Sequence, residues 1–174
     1  GSATVSGYSP GGAYIDSLSV ANGGSNSSGA TFSGQDCAFV WTTKWPDGTT
    51  GISNPAFRDF QVRIYDIATN TLKRTETVST QTYTYTYAKN TADFGTPNRK
   101  FRIEVTVRTL PTYESQPTKL AVANPVPDMI MPTVTVSASS IFITYTPPTD
   151  PDFSGAKVWV ESTNTFDPLS TAPK

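Results

Sequence analysis

The stretch RKFRIEVTVRTL, residues 99–110, decides the fold of this chain. Its apolar and polar side chains alternate strictly, with Phe101, Ile103, Val105 and Val107 set between Arg102, Glu104, Thr106 and Arg108. A period of two places the apolar residues on one face of a β-strand, whereas a helix of about 3.6 residues per turn would scatter them. The stretch therefore predicts a strand with one buried face and one solvated face.

Alternating patterns elsewhere in the chain supply partners for this strand. Six further strands are predicted at residues 13–20, 37–45, 57–64, 72–80, 82–87 and 118–123. Turn residues separate them, as in Pro46-Asp47-Gly48, where proline presets one dihedral and glycine allows a positive one. The segments 21–36 and 88–98 are predicted as loops. Seven short strands at this spacing predict an all-β fold, an antiparallel β-sandwich of immunoglobulin-like type.

The composition of the 174 residues limits the classes of function. The net charge of −1 offers no electrostatic attraction for nucleic acid, and the absence of a long apolar run argues against membrane insertion. The chain has no histidine and one cysteine, which excludes Ser-His-Asp and Cys-His nucleophile systems and an internal disulfide. Cys37 lies in an apolar strand, where we expect an inert core thiol.

The chain divides into four predicted segments. Residues 1–12 are a tag remnant and a flexible lead-in, and residues 13–124 form the first sandwich. Residues 125–132 are a proline-rich connector, which we expect to be stiff and extended. In residues 133–174 the pattern begins again, with strands predicted at 134–136, 141–145 and 153–160.

The last of these strands repeats a pattern of the first module. Residues 57–64 read Phe-x2-Phe-x-Val-x-Ile, and residues 153–160 read Phe-x2-Ala-x-Val-x-Val. The repeat predicts a second module that is truncated after three strands. Such a module has unpaired edges and an uncovered apolar face, so we expect it to pack against the first module or a second copy of the chain.

Aromatic residues are the candidates for surface contact. Tyr83, Tyr85 and Tyr87 share one face of the predicted strand 82–87, either as a stacking platform for sugars or as a face for another subunit. The simpler interpretation, which we favour, is that a sandwich strand turns its large residues into the core. Trp41 and Trp159 are predicted as core anchors. Trp45 lies at a strand end beside a turn, and is therefore the tryptophan expected to be exposed.

Two groups of acids suggest chemistry that we do not assign. Asp150, Asp152 and Glu161 match the loop spacing of an EF-hand calcium site, but the strand pattern after Gly155 leaves no room for its second helix. Asp66 and Glu76 could be imagined as a glycosidase pair, yet a sandwich of this size offers no deep cleft. We therefore expect no enzymatic activity, no cofactor and no bound metal.

Several of these segments carry a family resemblance. RKFRIEVTVRT and IFITYTPPTDPDFSGAKVWV resemble fibronectin type III modules, in which the second strand ends in an aromatic residue followed by prolines, as at residues 145–148. FRDFQVRIYD, TYTYTYAKN, the NPVP connector and PPTDPDFSGAKVWVESTNTF, in this order, are similar to the paired modules of tail-tip host-specificity proteins of long-tailed bacteriophages, the central tail fibre or tail attachment protein J family. Phe101 stands where fibronectin modules usually carry a corner tyrosine, so that hydroxyl contact should be missing.

The resemblance implies a structural role in a virion. Its members are trimers at the distal end of the phage tail, outside the host cell, and their modules space or support the receptor-binding tip. The implied partners are other tail proteins, copies of the chain itself, and a host receptor or glycan. The alternative is an extracellular bacterial module that binds carbohydrate or acts as an adhesin. An exposed aromatic row would favour that alternative, and a buried row would favour the structural role.

Overall fold

The computed structural model describes residues 12–26, 29–150 and 153–160. The chain divides into two compact units, Gly1–Val126 and Pro127–Lys174, which are described separately. The described part of the first unit contains ten strands and one helix: β1 (Tyr14–Val20), β2 (Gly23–Asn26), β3 (Gly29–Phe32), β4 (Cys37–Lys44), β5 (Phe57–Asp66), β6 (Thr71–Val78), β7 (Thr82–Tyr85), α1 (Tyr87–Phe94), β8 (Lys100–Thr109), β9 (Tyr113–Glu114) and β10 (Thr118–Ala123).

Two sheets form the first unit. The small sheet has the order β1-β4-β7, and the large sheet has the order β2-β3-β10-β8-β5-β6, with β9 paired to β8. Every strand pair is antiparallel except β3–β10, which is parallel. The prediction of an all-β, immunoglobulin-like sandwich is confirmed.

The core lies between these sheets and is centred on β8. Its apolar residues Phe101, Ile103, Val105 and Val107 are completely buried, as their alternation predicts. Trp41 of the small sheet meets Phe60 of the large sheet at 5.3 Å between ring centroids. Strand β8, which lies between β10 and β5 in the large sheet, therefore supplies a surface on which the small sheet packs.

The segment 21–36, predicted as a loop, instead contains the hairpin β2–β3. Strand β3 pairs with the edge of β10, and its Ala30 and Phe32 are buried in the core. A side chain at Gly23 would bring a Cβ within 1.8 Å of the Thr31 carbonyl oxygen, so only glycine fits there. The loop prediction is wrong because the free edge of β10 supplies hydrogen-bond partners that composition does not reveal.

The segment 88–98 was also predicted as a loop, and most of it is the helix α1. The Thr86 hydroxyl caps its first turn by accepting a hydrogen bond from the Lys89 N–H, and Gly95 ends it at a φ of 81°. Tyr87 is the first residue of the helix, so the strand predicted over residues 82–87 ends at Tyr85.

The second unit contains β11 (Thr133–Val136) and β12 (Ile141–Thr144), which form an antiparallel pair. The strand predicted over residues 153–160 is not formed. Its alternating pattern was insufficient because a strand needs a hydrogen-bonded neighbour, and no residue in the described part of the chain pairs with this segment.

Candidate functional site

The three tyrosines of the predicted row have separate environments. Tyr83 and Tyr85 face the core, at 6% and 1% exposure, whereas Tyr87 on α1 is 44% exposed. Trp45, expected to be exposed, is buried, and its indole N–H donates to the Gly51 carbonyl oxygen at 2.8 Å. The core position that we favour is confirmed for Tyr83 and Tyr85, while the expected exposure of Trp45 for surface contact is wrong. Surface contact stays a prediction for Tyr87.

The hydroxyl end of Tyr85 belongs to a cluster of polar side chains between β6, β7 and α1. It donates to the Asp93 carboxylate at 2.8 Å, and Arg74 makes a bidentate contact with the same carboxylate at 2.7 and 2.9 Å. A planar guanidinium held by two parallel bonds is among the stronger contacts available to a protein. Asp93 therefore connects α1 to both sheets.

Glu76 and Lys89 complete this group. Arg74 also donates to Glu76 at 2.7 Å, and the Lys89 ammonium donates to the other Glu76 oxygen at 3.1 Å. The same ammonium lies 4.5 Å from the centroid of the Tyr83 ring, which adds a cation–π contact. We call this set the polar cluster: Arg74, Glu76, Tyr83, Tyr85, Lys89 and Asp93.

The position of the polar cluster follows from the register of β6. Arg74 pairs with Ile64 and Glu76 with Val62, and both of these β5 residues are buried. Two charges thus stand on the core side of an edge strand, where they hinder pairing with a foreign strand. Helix α1 covers them and supplies the opposite charges. The cluster closes one side of the sandwich between β6 and β7.

Burial and charge set the protonation states in the polar cluster. Burial raises the pKa of both tyrosines, and for Tyr85 the hydrogen bond to the Asp93 carboxylate raises the pKa further. Burial also raises the pKa of Glu76, but the hydrogen bonds and charges of Arg74 and Lys89 outweigh it and hold this pKa below its ordinary value. The tyrosines therefore stay neutral and the carboxylate stays ionised near neutral pH. Such a cluster is suited to structure rather than to proton transfer.

Cys37 is likewise buried, and its burial raises the pKa of the thiol. A neutral thiol in an apolar environment is a poor nucleophile and a poor metal ligand. The expectation of an inert core thiol is consistent with this position on β4.

Ion pairs also cross the outer face of the large sheet. Arg63 donates to Glu114 at 2.8 Å, and Arg102 donates to Glu104 at 3.0 Å. Arg108 on β8 donates to Asp59 on β5. The Arg108–Asp59 pair joins the neighbouring strands β8 and β5, the Arg63–Glu114 pair links β5 to β9 across β8, and the Arg102–Glu104 pair lies along β8 itself. The polar side chains of the alternating pattern therefore serve the fold itself.

The acids singled out in the sequence do not assemble into a described site. Glu76 is opposite Val62 while Asp66 is opposite Thr71, so they stand four residues apart along β5, roughly 13 Å, too far for a glycosidase pair. Asp150 accepts a hydrogen bond from the Asp128 N–H at 3.4 Å, and its predicted partners Asp152 and Glu161 lie outside the described residues. In the described ranges, no three His, Cys, Asp or Glu side chains come together as a metal site. Nor does any described helix have the length and hydropathy needed to cross a membrane.

The depressed carboxylate pKa values make the fold sensitive to acid. Hydrogen bonds and nearby arginines outweigh the opposing effect of burial and lower the pKa of Asp59, Glu76 and Glu114 in the folded chain. Their stabilising contribution is complete above the unfolded-state values, 3.8 for Asp and 4.5 for Glu, and disappears as the pH falls through the folded values.

We therefore expect urea midpoints to be nearly constant from neutral pH to about pH 5 and to fall steeply below about pH 4.5. Glu76→Gln should make this fall shallower, while Asp16→Asn, on an exposed position of β1, should leave the profile unchanged. A midpoint that rises on acidification would contradict the assignment of these carboxylates.

The sequence pointed to the tyrosines but missed their partners Arg74, Lys89 and Asp93. Comparison of the chain with protein-family models, with curated proteins and with solved structures found no match. Function is therefore argued from the side chains described above and from the resemblance noted in the sequence.

Proposed function

We propose that this chain is a non-enzymatic structural module of a bacteriophage tail tip. In this role it spaces or supports the part of a central fibre that attaches to the host receptor, in contact with other tail proteins and copies of itself. The virion assignment comes from the sequence resemblance. The immunoglobulin-like fold is compatible with it, and the environment of the aromatic residues supports the structural role.

The burial of Tyr83 and Tyr85, two of the three tyrosines of the row, is the observation that carries this proposal. A carbohydrate platform needs aromatic faces that are open to solvent, because sugars stack on them. Tyr83, Tyr85, Trp41 and Trp45 are all buried. The hydrogen bonds that their hydroxyl and indole groups make are to other residues of this chain. The alternative of an extracellular bacterial carbohydrate-binding or adhesive module therefore loses its predicted platform.

The start of the connector suits a spacer. Asn124 donates its N–H to the Arg99 carbonyl oxygen at 2.8 Å, and the Arg99 guanidinium donates to the Pro125 carbonyl oxygen at 2.9 Å. These bonds fix the direction in which the chain leaves the first unit. The Pro125 ring also restricts the backbone at this point, as a spacer requires.

A binding experiment separates the two functions. We expect the fluorescently labelled chain to show no saturable binding to a panel of bacterial cells or to purified envelope glycans. Saturable binding that competes with phage adsorption would overturn the spacer role and favour an adhesive one. In that case Tyr87→Ala tests the exposed tyrosine of α1, and Leu72→Ala, at an exposed position of β6, serves as the matched control.

A further inference from the structure

Four strands stand at the edges of the two sheets of the first unit: β2 and β6 in the large sheet, and β1 and β7 in the small sheet. The outer side of an edge strand carries backbone N–H and C=O groups that no strand pairs, so it is a template for pairing with another chain. Proteins protect such edges with charges, with bulges, or with a helix or loop that covers them. Three of these four edges are protected in this way, and that of β2 is not.

Helix α1 protects the edges of β6 and β7. On β6, the charged side chains Arg74 and Glu76 are held by Asp93 and Lys89 of the helix. On β7, the Thr84 carbonyl oxygen accepts a hydrogen bond from the Lys89 ammonium at 3.5 Å. A foreign strand would have to displace these contacts before it could pair with either edge.

The edge of β1 is protected by a bulge and by the large sheet. Its pairing with β4 shifts register between Ile15 and Ser17. The Ile15 carbonyl oxygen accepts a hydrogen bond from the Thr118 hydroxyl of β10 at 3.2 Å, and β1 also contacts β3. The bulge and these contacts leave β1 without a regular open edge.

The edge of β2 carries none of these devices. In the described part of the chain it pairs with β3 alone, in continuous register from Gly23 to Asn26. Residues 21–26 include no charged residue and no proline, and Gly23 and Gly24 are exposed. The backbone of β2 is therefore open on its outer side, and at the two glycines no side chain hinders the approach of another backbone.

We propose that β2 is a docking edge for an extended segment of a different polypeptide, which continues the large sheet as a further antiparallel or parallel strand. Main-chain hydrogen bonds hold such an added strand, and this mode of recognition tolerates many sequences. Opposite Gly23 and Gly24 the segment gains most from aromatic or β-branched residues, because a large side chain covers an edge glycine that has none of its own.

A second copy of β2 fits this edge less well than such a segment. Pairing β2 with itself would place glycine, serine and asparagine against the same small residues, with few of the cross-strand side-chain contacts that stabilise a sheet. The edges of β1, β6 and β7 in another copy are already protected. The geometry therefore favours a foreign strand at this edge.

Hydrogen exchange of the full chain, measured by NMR, tests the proposal with a short synthetic peptide in which threonine alternates with tyrosine and valine, with a lysine at each end. Because the edge recognises backbone, this peptide represents any extended strand. We expect saturable binding that slows exchange of the amides of residues 23–26 and leaves those of β6 unchanged. The same peptide methylated at alternate backbone nitrogens lacks donors on one side and should bind at least about tenfold more weakly.

Two variants of Gly24 provide the matched pair. Gly24→Lys adds to β2 the kind of charge that protects other edges, and it repels the lysines of the peptide, so it should weaken binding at least about threefold. Gly24→Ala should leave binding within about twofold, because a Cβ there meets its nearest neighbour, Thr31 Oγ1, at an ordinary 3.8 Å.

Four results would each overturn the proposal. They are no saturable binding, equal binding of the methylated peptide, slowed exchange at another edge instead of β2, and protection of β2 that grows with protein concentration without peptide, which would indicate pairing between copies. Peptide binding is measured independently of binding to cells, so failure here is distinguishable from failure of the proposed function.

Discussion

Replacing Phe101 with alanine is expected to lower the free energy of unfolding of the first unit by about 3–5 kcal/mol. The ring is completely buried, and its centroid lies 5.0, 6.2 and 6.3 Å from those of Tyr85, Phe32 and Phe39. Alanine would leave a cavity where both sheets and the hairpin strand β3 meet. Urea unfolding followed by tryptophan fluorescence measures the loss, because Trp41 and Trp45 report on the same core.

The matched control for this experiment is Leu72→Ala. Leu72 is 47% exposed on the edge strand β6, so its truncation should change the free energy of unfolding by less than about 0.5 kcal/mol. If Phe101→Ala cost no more than this control, the core would not be organised around β8. The same result would imply that the surrounding rings collapse into the cavity without strain.

The strand around Phe101 was predictable because its apolar face is completely buried, but the opposite face is not solvated as predicted, since Glu104 and Thr106 are 5% and 1% exposed. Strand β8 spans Lys100–Thr109, nearly the full range of the predicted alternation. Its apolar residues face the small sheet, and on the other face Arg108 forms an ion pair with Asp59 on the neighbouring strand β5. In an antiparallel sandwich, the alternation along one strand therefore indicates which of its faces packs against the other sheet.

Helix α1 was missed although its boundaries have local signals. Thr86 and Gly95 are typical helix caps, and the eight residues of the helix lie between them. The alternation of threonine and tyrosine before it predicted a strand through Tyr87, and that pattern concealed the cap. The local sequence is compatible with a strand through Tyr87 and with a helix that begins there. The contacts of Lys89 and Asp93 with the charged residues of β6 favour the helix.

Other differences depend on contacts that the local residue pattern does not show. Strand β3 exists because it can pair with β10, some ninety residues later in the chain. Trp45 is buried because the turn after it folds back and offers the Gly51 carbonyl oxygen. Trp159, predicted as a core anchor, is only half-buried. All three predictions are wrong because the local pattern does not reveal which neighbour the residue will contact.

The polar cluster illustrates the same limit for the candidate site. Arg74 and Asp93 are separated by a turn, a strand and most of a helix, so no spacing rule pairs them. Alternation on β6 even placed Arg74 among polar residues with no indication that its side chain faces the core. Only the register with Ile64 reveals that this charge must find a partner inside the fold.

The pairing of Arg74 with Asp93 gives the second large expected effect. Asp93→Leu should lower the free energy of unfolding by about 2–4 kcal/mol, because it leaves a guanidinium without its bidentate partner in a site that is largely shielded from water. The Asp93 side chain is 8% exposed and that of Arg74 is 24% exposed, so solvent screens the loss only in part. Urea unfolding again provides the measurement, with Arg58→Met as the control, since Arg58 is 40% exposed beside Asp59 and should cost less than about 1 kcal/mol.

The double variant Arg74→Met with Asp93→Leu distinguishes two causes of the loss: the missing attraction between Arg74 and Asp93, and the cost of leaving the Arg74 charge without its partner. Removing both charges leaves no ion to desolvate, so the double variant should recover about half of the loss caused by Asp93→Leu alone. Recovery stays incomplete because the Tyr85 hydroxyl still loses its acceptor and Glu76 loses one of its two donors. A double variant no more stable than Asp93→Leu would mean that helix α1 is held by Asp93 through Tyr85 rather than through Arg74. Strictly additive losses would contradict the cluster as a cooperative unit, because residues that share a network do not act independently.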